Sequence, residues 1–227
     1  MSFPLYSVYL LPPTGLAASI DSLREELEQC YECHAARSFM VHCALKDFFQ
    51  MDLGKTEEQL KQTLHPVISS FAAFQIQPNE ITHLLDSIII DLASLRNPRL
   101  QDLRNAIYHH IDPDFVHPGC PFTSDERKYG YAAHITLALK DLAFADIVEA
   151  EEYARQRANE LGLLRPFIAR TVALYRFTTE ATTWEDRYRW WETLRYEPLQ
   201  TWRLRSGCMP EAIGRMRQPR DIRIHYI

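Results

Sequence analysis

The spacing of hydrophobic residues divides the chain into predicted strands and helices. Apolar or alternating runs predict strands over residues 5–11, 38–49, 82–94, 131–139 and 167–177. Apolar positions at helical spacing predict helices over residues 16–33, 56–74 and 144–161, and a loop followed by a helix over 98–111. Strands that alternate with helices indicate an α/β or α+β domain rather than a helical bundle or a β-sandwich.

Two further segments have a less regular pattern. Residues 110–130 are rich in Pro, Gly and Asp, which predicts an extended connection. Residues 184–204 interleave aromatic and basic side chains, as RNA-binding segments also do. At helical spacing, however, one packing face is formed by Trp184, Tyr188, Trp191 and Leu194. We therefore interpret this segment as part of the core.

The composition is that of a globular protein with an acidic net charge. The 227 residues are 46% hydrophobic and carry a formal net charge of −5. This charge disfavours a protein that coats long nucleic acid, but it allows a short nucleotide in a local pocket. No apolar run approaches the roughly 20 residues that span a bilayer, and the stretch MSFPLYSVYLLPPTG lacks the basic region of a signal peptide. We therefore expect a cytoplasmic protein with no membrane partner.

Arginine is frequent near the end of the sequence. The residues concerned are Arg203, Arg205, Arg215, Arg217, Arg220 and Arg223. We interpret this stretch as a solvated basic tail, with a flap over an anionic substrate as the alternative.

The five cysteines predict reduced thiols rather than a haem or metal site. Cys30, Cys33 and His34 match the C-x-x-C-H pattern of covalent haem attachment, which normally belongs to exported proteins. No second cysteine or histidine pair follows at the spacing of a zinc site. We expect Cys30 and Cys33 to be half-buried at the end of a helix. The sequence thus predicts no cofactor and no metal ion.

Two of the predicted strands carry a histidine among apolar residues. In YAAHITLAL, residues 131–139, strand alternation puts His134 and Thr136 on one face. In VHCALKDF, residues 41–48, His42 occupies the corresponding place about ninety residues earlier. If the two halves pack as equivalent lobes, both imidazoles face one cleft. There one imidazole can take a proton from an attacking oxygen, and the other can protonate the leaving oxygen of a phosphodiester.

These two histidine strands resemble the motifs of the 2H phosphoesterase superfamily, which includes 2′-5′ RNA ligase-like proteins and cyclic nucleotide phosphodiesterases. Its members carry two H-x-T/S motifs, one on an inner strand of each lobe of a bilobal α+β fold. His134-Ile135-Thr136 matches the motif in full, whereas His42-Cys43-Ala44 has alanine where the family has a hydroxyl residue. The resemblance covers about residues 4–205. It implies a single bilobal domain, with one lobe over about 1–115, a second over about 116–205 and the basic tail over 206–227.

The resemblance also implies a metal-independent phosphodiesterase. His42 and His134 would be the general acid and base, in an order that the sequence does not assign, and Thr136 would hold a phosphate oxygen. The substrate would be a nucleotide or short oligonucleotide with a 2′,3′-cyclic phosphate, a 2′-5′ linkage or a cyclic backbone. Because Ala44 lacks a hydroxyl, the alternative is a catalytically weak protein that binds or sequesters a nucleotide in the same cleft. We expect a monomer, with no long nucleic acid as a partner.

Three further residues are candidate substrate contacts. Lys46 shares the face of His42 if the strand stays regular, and there it could meet a phosphate. Tyr9, on the first strand, and Tyr131, before the second motif, could stack on a nucleobase.

Overall fold

A computed structural model describes residues 3–93, 96–120, 122, 132–185 and 189–206. Within these residues the chain forms nine strands and four α-helices. The strands are β1 (Leu5–Leu11), β2 (Cys43–Phe49), β3 (Phe74–Ile76), β4 (Ile81–Leu84), β5 (Ser87–Asp91), β6 (His134–Leu139), β7 (Phe167–Ala169), β8 (Thr171–Thr178) and β9 (Arg195–Arg203). The helices are α1 (Thr14–Tyr31), α2 (Glu57–Ser70), α3 (Pro98–Phe115) and α4 (Ile147–Leu161).

The strands form two main antiparallel sheets and a short two-stranded ribbon. One sheet has the strand order β2-β1-β8-β9, the other has the order β4-β5-β6, and β3 pairs with β7. β2 and β6 are each at an edge of their sheet, and these two strands contact each other. The predicted bilobal α+β fold is confirmed.

The helices cover the sheets, and their ends follow local signals. α1 packs against β6 and α4, and α3 packs against β2 and α2. A capping box begins α2, in which Thr56 Oγ1 accepts from the Gln59 N–H at 3.2 Å and the Gln59 side chain accepts from the Thr56 N–H at 3.0 Å. α4 ends at Gly162, whose φ of 68° is a left-handed conformation that glycine adopts without steric cost. The predicted helices therefore all occur, with ends displaced by a few residues.

Two clusters of buried residues stabilise the fold. The larger one joins the inner faces of the sheets to α1, α2, α3 and α4 and is mainly aliphatic. The smaller one is mainly aromatic and includes Phe39, Phe48, Phe177, Trp184 and Trp190. Phe39, Phe48, Trp184 and Trp190 of this second cluster also line the cavity described below.

Two predicted elements differ from the structure. The aliphatic run over 82–94 is a hairpin of β4 and β5 rather than one strand, because the chain turns at Leu85, where φ is 56°. In the segment over 184–204, where the aromatic residues recur at helical spacing, a short 3₁₀ helix (Trp190–Thr193) leads into β9. The prediction that its aromatic residues are core residues is nevertheless confirmed for Trp184 and Trp191, which are buried. Tyr188 and the arginines after Arg205 lie outside the described residues.

The expected division of the chain into one lobe per half is wrong. β1 and β2 pair in one sheet with β8 and β9, and β4 and β5 pair in the other sheet with β6. Each sheet thus takes strands from before and after residue 116, because the chain crosses between the lobes more than once. Within the part of the chain that the structure describes, no helix is long and apolar enough to cross a membrane.

Candidate active site

A cavity of about 870 Å³ opens where the edge strands β2 and β6 meet. Both sequence motifs contribute to its wall: His42 and Ala44 come from the first, and His134 and Thr136 come from the second. His134 begins β6, whereas His42 lies one residue before β2 rather than in the middle of a strand. The predicted strand over 38–49 in fact begins only at Cys43, because a 3₁₀ helix (Ala35–Ser38) ends at its first residue. The two histidines therefore lie at or next to the first residue of edge strands from different sheets, and both line one space.

The two imidazoles are held in the same way. Nδ1 of His42 donates to the carbonyl oxygen of Met40 at 2.7 Å, and Nδ1 of His134 donates to the carbonyl oxygen of Ala132 at 2.6 Å. In each case the acceptor is two residues earlier in the chain. A carbonyl oxygen can only accept, so Nδ1 carries the proton and Nε2 of the neutral ring keeps its lone pair. Each ring can therefore exchange a proton through Nε2.

Burial and positive charge keep His42 neutral. The imidazole stacks on the ring of Tyr9, with 3.7 Å between centroids and 21° between planes. Burial is the largest cause that lowers the pKa of His42, from 6.5 to about 3. The hydrogen bond to Met40 opposes this shift, while the charges of Arg24 and His134 add to it. At neutral pH the ring is therefore a proton acceptor.

Comparison with solved structures identifies the fold. The chain is similar to a protein described as a phosphoesterase, with a TM-score of 0.54 and 14% identity over 89% of this chain and 99% of that chain. It is similar to Escherichia coli LigT in complex with 3′-AMP, with a TM-score of 0.54 and 14% identity over 88% of this chain and 97% of that chain. A protein of Thermus thermophilus matches with a TM-score of 0.50 and 13% identity over 89% and 98% of the two chains.

The chain has the LigT fold. The resemblance seen in the sequence motifs is thus confirmed at the level of the fold. No family model and no curated protein sequence matches this chain.

Two further residues of the sequence motifs, Thr136 and Ala44, line the cavity, whereas one predicted contact lies outside the described residues. Thr136 is half-buried in the cavity wall. Ala44 lies opposite Tyr9 in the pairing of β1 and β2 and also lines the cavity, so the residue without a hydroxyl does face the site. Tyr131 is outside the part of the chain that the structure describes.

The prediction that Lys46 faces the cleft is wrong. The register of β1 and β2 shifts between the pairs Tyr9–Ala44 and Val8–Lys46, so the strand is irregular there and the simple alternation of faces fails. The Lys46 side chain is 1% exposed. Its ammonium lies 3.9 Å from Oδ1 of Asp112 and 4.9 Å from the centroid of the Tyr108 ring, both on α3.

Tyr9 lines the site but cannot stack on a nucleobase as predicted. The residue is 1% exposed, and its ring packs against His42 on one side and near Tyr175 and Phe177 on others. Its place in the molecule is to support the imidazole of His42. The hydroxyl is buried, and this burial raises its pKa well above 10.

The sequence interpretation missed several residues that line the cavity. Besides the motif residues, the wall includes Arg24, Phe39, Asp47, Phe48, Gln50, Phe122, Trp184 and Trp190. Arg24 could have been found, because it occupies a buried position on α1 between Ile20, Leu23 and Leu27, where an apolar residue is expected. Among the described residues, no group of three or more His, Cys, Asp or Glu side chains is placed to hold a metal ion.

Proposed function

We propose that this chain hydrolyses a phosphodiester of a nucleotide or short oligonucleotide, with His42 and His134 as the proton-transfer pair. The observation that carries the proposal is the equivalent placement of the two imidazoles, each with Nδ1 bound to a carbonyl and both lining one cavity. Such a pair can supply both proton transfers of the reaction without a metal ion. Each transfer typically contributes about 10²–10⁴-fold to the rate.

The lowered pKa of His42 supports an assignment of the two roles. Nε2 of neutral His42 takes a proton from the attacking water as its oxygen bonds to phosphorus. His134, as the general acid, gives an Nε2 proton to the ester oxygen as the bond from phosphorus to that oxygen breaks. The products are an alcohol and a phosphomonoester. The Thr136 hydroxyl donates to a non-bridging oxygen of the phosphate.

The size and lining of the cavity favour a nucleotide. A volume of about 870 Å³ is within the range of small-molecule sites, and the wall joins polar groups around the histidines to several aromatic rings. Escherichia coli LigT has been solved with 3′-AMP, NADP+ and ATP. We propose ligands of this class, with a 2′,3′-cyclic phosphate, a 2′-5′ linkage or a cyclic oligonucleotide as the reacting group.

We place the activity in the cytoplasm. The four cysteines among the described residues, Cys30, Cys33, Cys43 and Cys120, are free thiols, as is usual in a reducing compartment. Cys33, Cys43 and Cys120 are buried, and Cys30 is exposed on α1.

Turnover of a substrate panel tests the proposal. The panel contains 2′,3′-cyclic mononucleotides, 2′-5′ and 3′-5′ dinucleotides and cyclic dinucleotides. We expect His42→Ala and His134→Ala each to lower kcat by at least about 100-fold on the best substrate. His110→Ala is the matched control, because His110 also donates Nδ1 to a carbonyl but is exposed on α3, outside the cavity wall. Wild-type turnover in either cavity variant would refute the assignment.

Ala44 favours one other function for the same cavity. Since the first motif presents no hydroxyl to a phosphate, the chain could hold a nucleotide without rapid turnover. Binding of the same panel by calorimetry, compared with turnover, separates the two functions: tight binding of a phosphodiester that remains intact after long incubation supports the binding function.

A further inference from the structure

A buried arginine joins both motif segments of the cavity. Arg24, on α1, is 1% exposed and lines the cavity wall. Nη1 donates to the carbonyl oxygen of Phe39 at 3.0 Å, three residues before His42. Nε and Nη2 donate to the carbonyl oxygen of Thr136 at 2.9 Å and 2.7 Å. The single guanidinium of Arg24 therefore binds the backbone near His42 and also the backbone near His134.

The charge of Arg24 has no carboxylate beside it among the residues that the structure describes. Its three hydrogen bonds all go to neutral carbonyl groups. Asp21, one turn earlier on α1, interacts with it only at longer range and is itself exposed. Burying a charge without a counter-ion is costly, and a neutral donor could tie the two segments together at lower cost. An anion bound beside Arg24 would supply the missing counter-charge. Such an anion explains why a cation, rather than a neutral donor, occupies this position.

The geometry also leaves donors for such an anion. A guanidinium has five N–H groups, and the three bonds use Nε and one N–H on each terminal nitrogen. Two N–H groups thus have no acceptor within the described part of the chain. Terminal guanidinium nitrogens bind phosphate oxygens well because the charge and the N–H geometry match.

We propose that Arg24 holds the phosphate of the ligand in this cavity, where it supplies the donor that the first motif lacks at Ala44. The inference deepens the proposed function and rests on it for the identity of the anion as a phosphate ester. It assigns the two sides of the phosphate to different groups: the Thr136 hydroxyl on the β6 side and the Arg24 guanidinium on the α1 side. The same hydrogen bonds hold the segments that carry His42 and His134 at a fixed separation.

Calorimetric binding of inorganic phosphate tests the inference directly. We expect Arg24→Gln to weaken phosphate binding by about ten- to a hundredfold, because one charged donor is lost. Arg24→Lys keeps the positive charge but loses the planar set of N–H donors of the guanidinium. Its phosphate affinity should therefore lie between those of the wild type and Arg24→Gln. Arg157→Gln is the control: it removes one positive charge where α4 meets α1, beside Glu26 and outside the cavity, and should bind phosphate as the wild type does.

The pH profile adds a readout that a purely structural arginine would not move. The charged and titratable groups that line the cavity around His42 are Tyr9, Arg24, Asp47, His134, Lys140 and Glu185. Because the charge of Arg24 lowers the pKa of His42, its removal should shift the acidic limb of kcat/KM to higher pH. Arg157→Gln should leave that limb in place.

The outcomes separate this inference from the proposed function. Wild-type phosphate affinity in folded Arg24→Gln would overturn the inference, whatever the turnover. If Arg24→Gln does not fold, as judged by circular dichroism, Arg24→Lys decides, and an affinity equal to that of the wild type would overturn it. If phosphate binding falls as expected while the wild type turns over no substrate in the panel, the anion site stands and the hydrolytic function fails.

Discussion

The neutral state of His42 in the folded protein makes a quantitative prediction about acid stability. The unfolded chain protonates this histidine as the pH falls through about 6.5, whereas the folded chain protonates it only near 3. The stability that neutral His42 contributes is therefore fully present above pH 6.5, and it is lost progressively as the pH falls toward 3. Neutral His42 should thus make the wild type more sensitive to acid than a variant without the imidazole.

The magnitude is best measured at about pH 5. There the linkage relation gives a loss of about 2 kcal/mol relative to pH 8. This value changes little with the folded-state pKa as long as that pKa is below 5, because the unfolded chain supplies most of the proton uptake. A loss of this size is a large part of the stability of an ordinary domain.

The assay compares urea unfolding of the wild type and His42→Gln at the two pH values. Glutamine does not titrate, and its side-chain amide can still donate to the Met40 carbonyl. We expect the wild type to lose about 2 kcal/mol more than His42→Gln between pH 8 and pH 5. His110→Gln controls for the removal of one exposed imidazole and should lose as much as the wild type. Equal losses in the wild type and His42→Gln would show that His42 titrates normally in the folded protein.

Three further predictions follow from the cavity and its surroundings. Ala44→Thr should match or exceed the wild-type kcat on a small substrate, because it adds a hydroxyl donor to the charged phosphate, and such a hydrogen bond contributes about 1.5–3 kcal/mol. Threonine suits a strand, so the variant should fold. Thr136→Ala removes a hydroxyl and should lower kcat. A folded Ala44→Thr variant that loses turnover of the best substrate would show that the substrate itself fills this space. Lys46→Met should lower the free energy of unfolding by about 3 kcal/mol, because Asp112 loses a buried partner, while kcat/KM is unchanged; a selective rise in KM would contradict this. Turnover should be the same in EDTA as with added zinc, magnesium or manganese, and loss on chelation that a metal reverses would contradict the two-imidazole mechanism.

The sequence was sufficient to find the residues whose positions depend on local pattern. His134 and Thr136 share a strand face because side chains alternate along β6, and that strand is regular through both residues. His42 could be found because its surroundings repeat those of His134. The order of strands and helices, which depends on hydrophobic period rather than on tertiary contacts, indicated an α/β or α+β domain, and the resemblance to the 2H superfamily implied α+β.

The remaining features depend on how distant segments meet. Lys46 was misplaced because the irregularity of β2 arises from its pairing with β1, and neither strand alone shows it. The run over 82–94 looked like one strand because Leu85 at the turn is not a typical turn residue. Arg24 lies among the apolar residues of one face of α1, which makes it unusual in the sequence. Its hydrogen bonds to Phe39 and Thr136 connect three distant parts of the chain, and no short stretch of sequence indicates them.

The interleaving of the sheets determines when the cavity can form during synthesis. β1 pairs along its whole length with β8, so that Leu5 lies opposite Phe177, and closing so long a loop is slow. As the chain leaves the ribosome, β1 and β2 can form only part of their sheet until β8 has been made. Until then, one long edge of β1 remains open to pairing with other chains. The surroundings of His42 are therefore complete only after β8 has been synthesised. A nascent chain that ends before β8 does not contain the finished cavity.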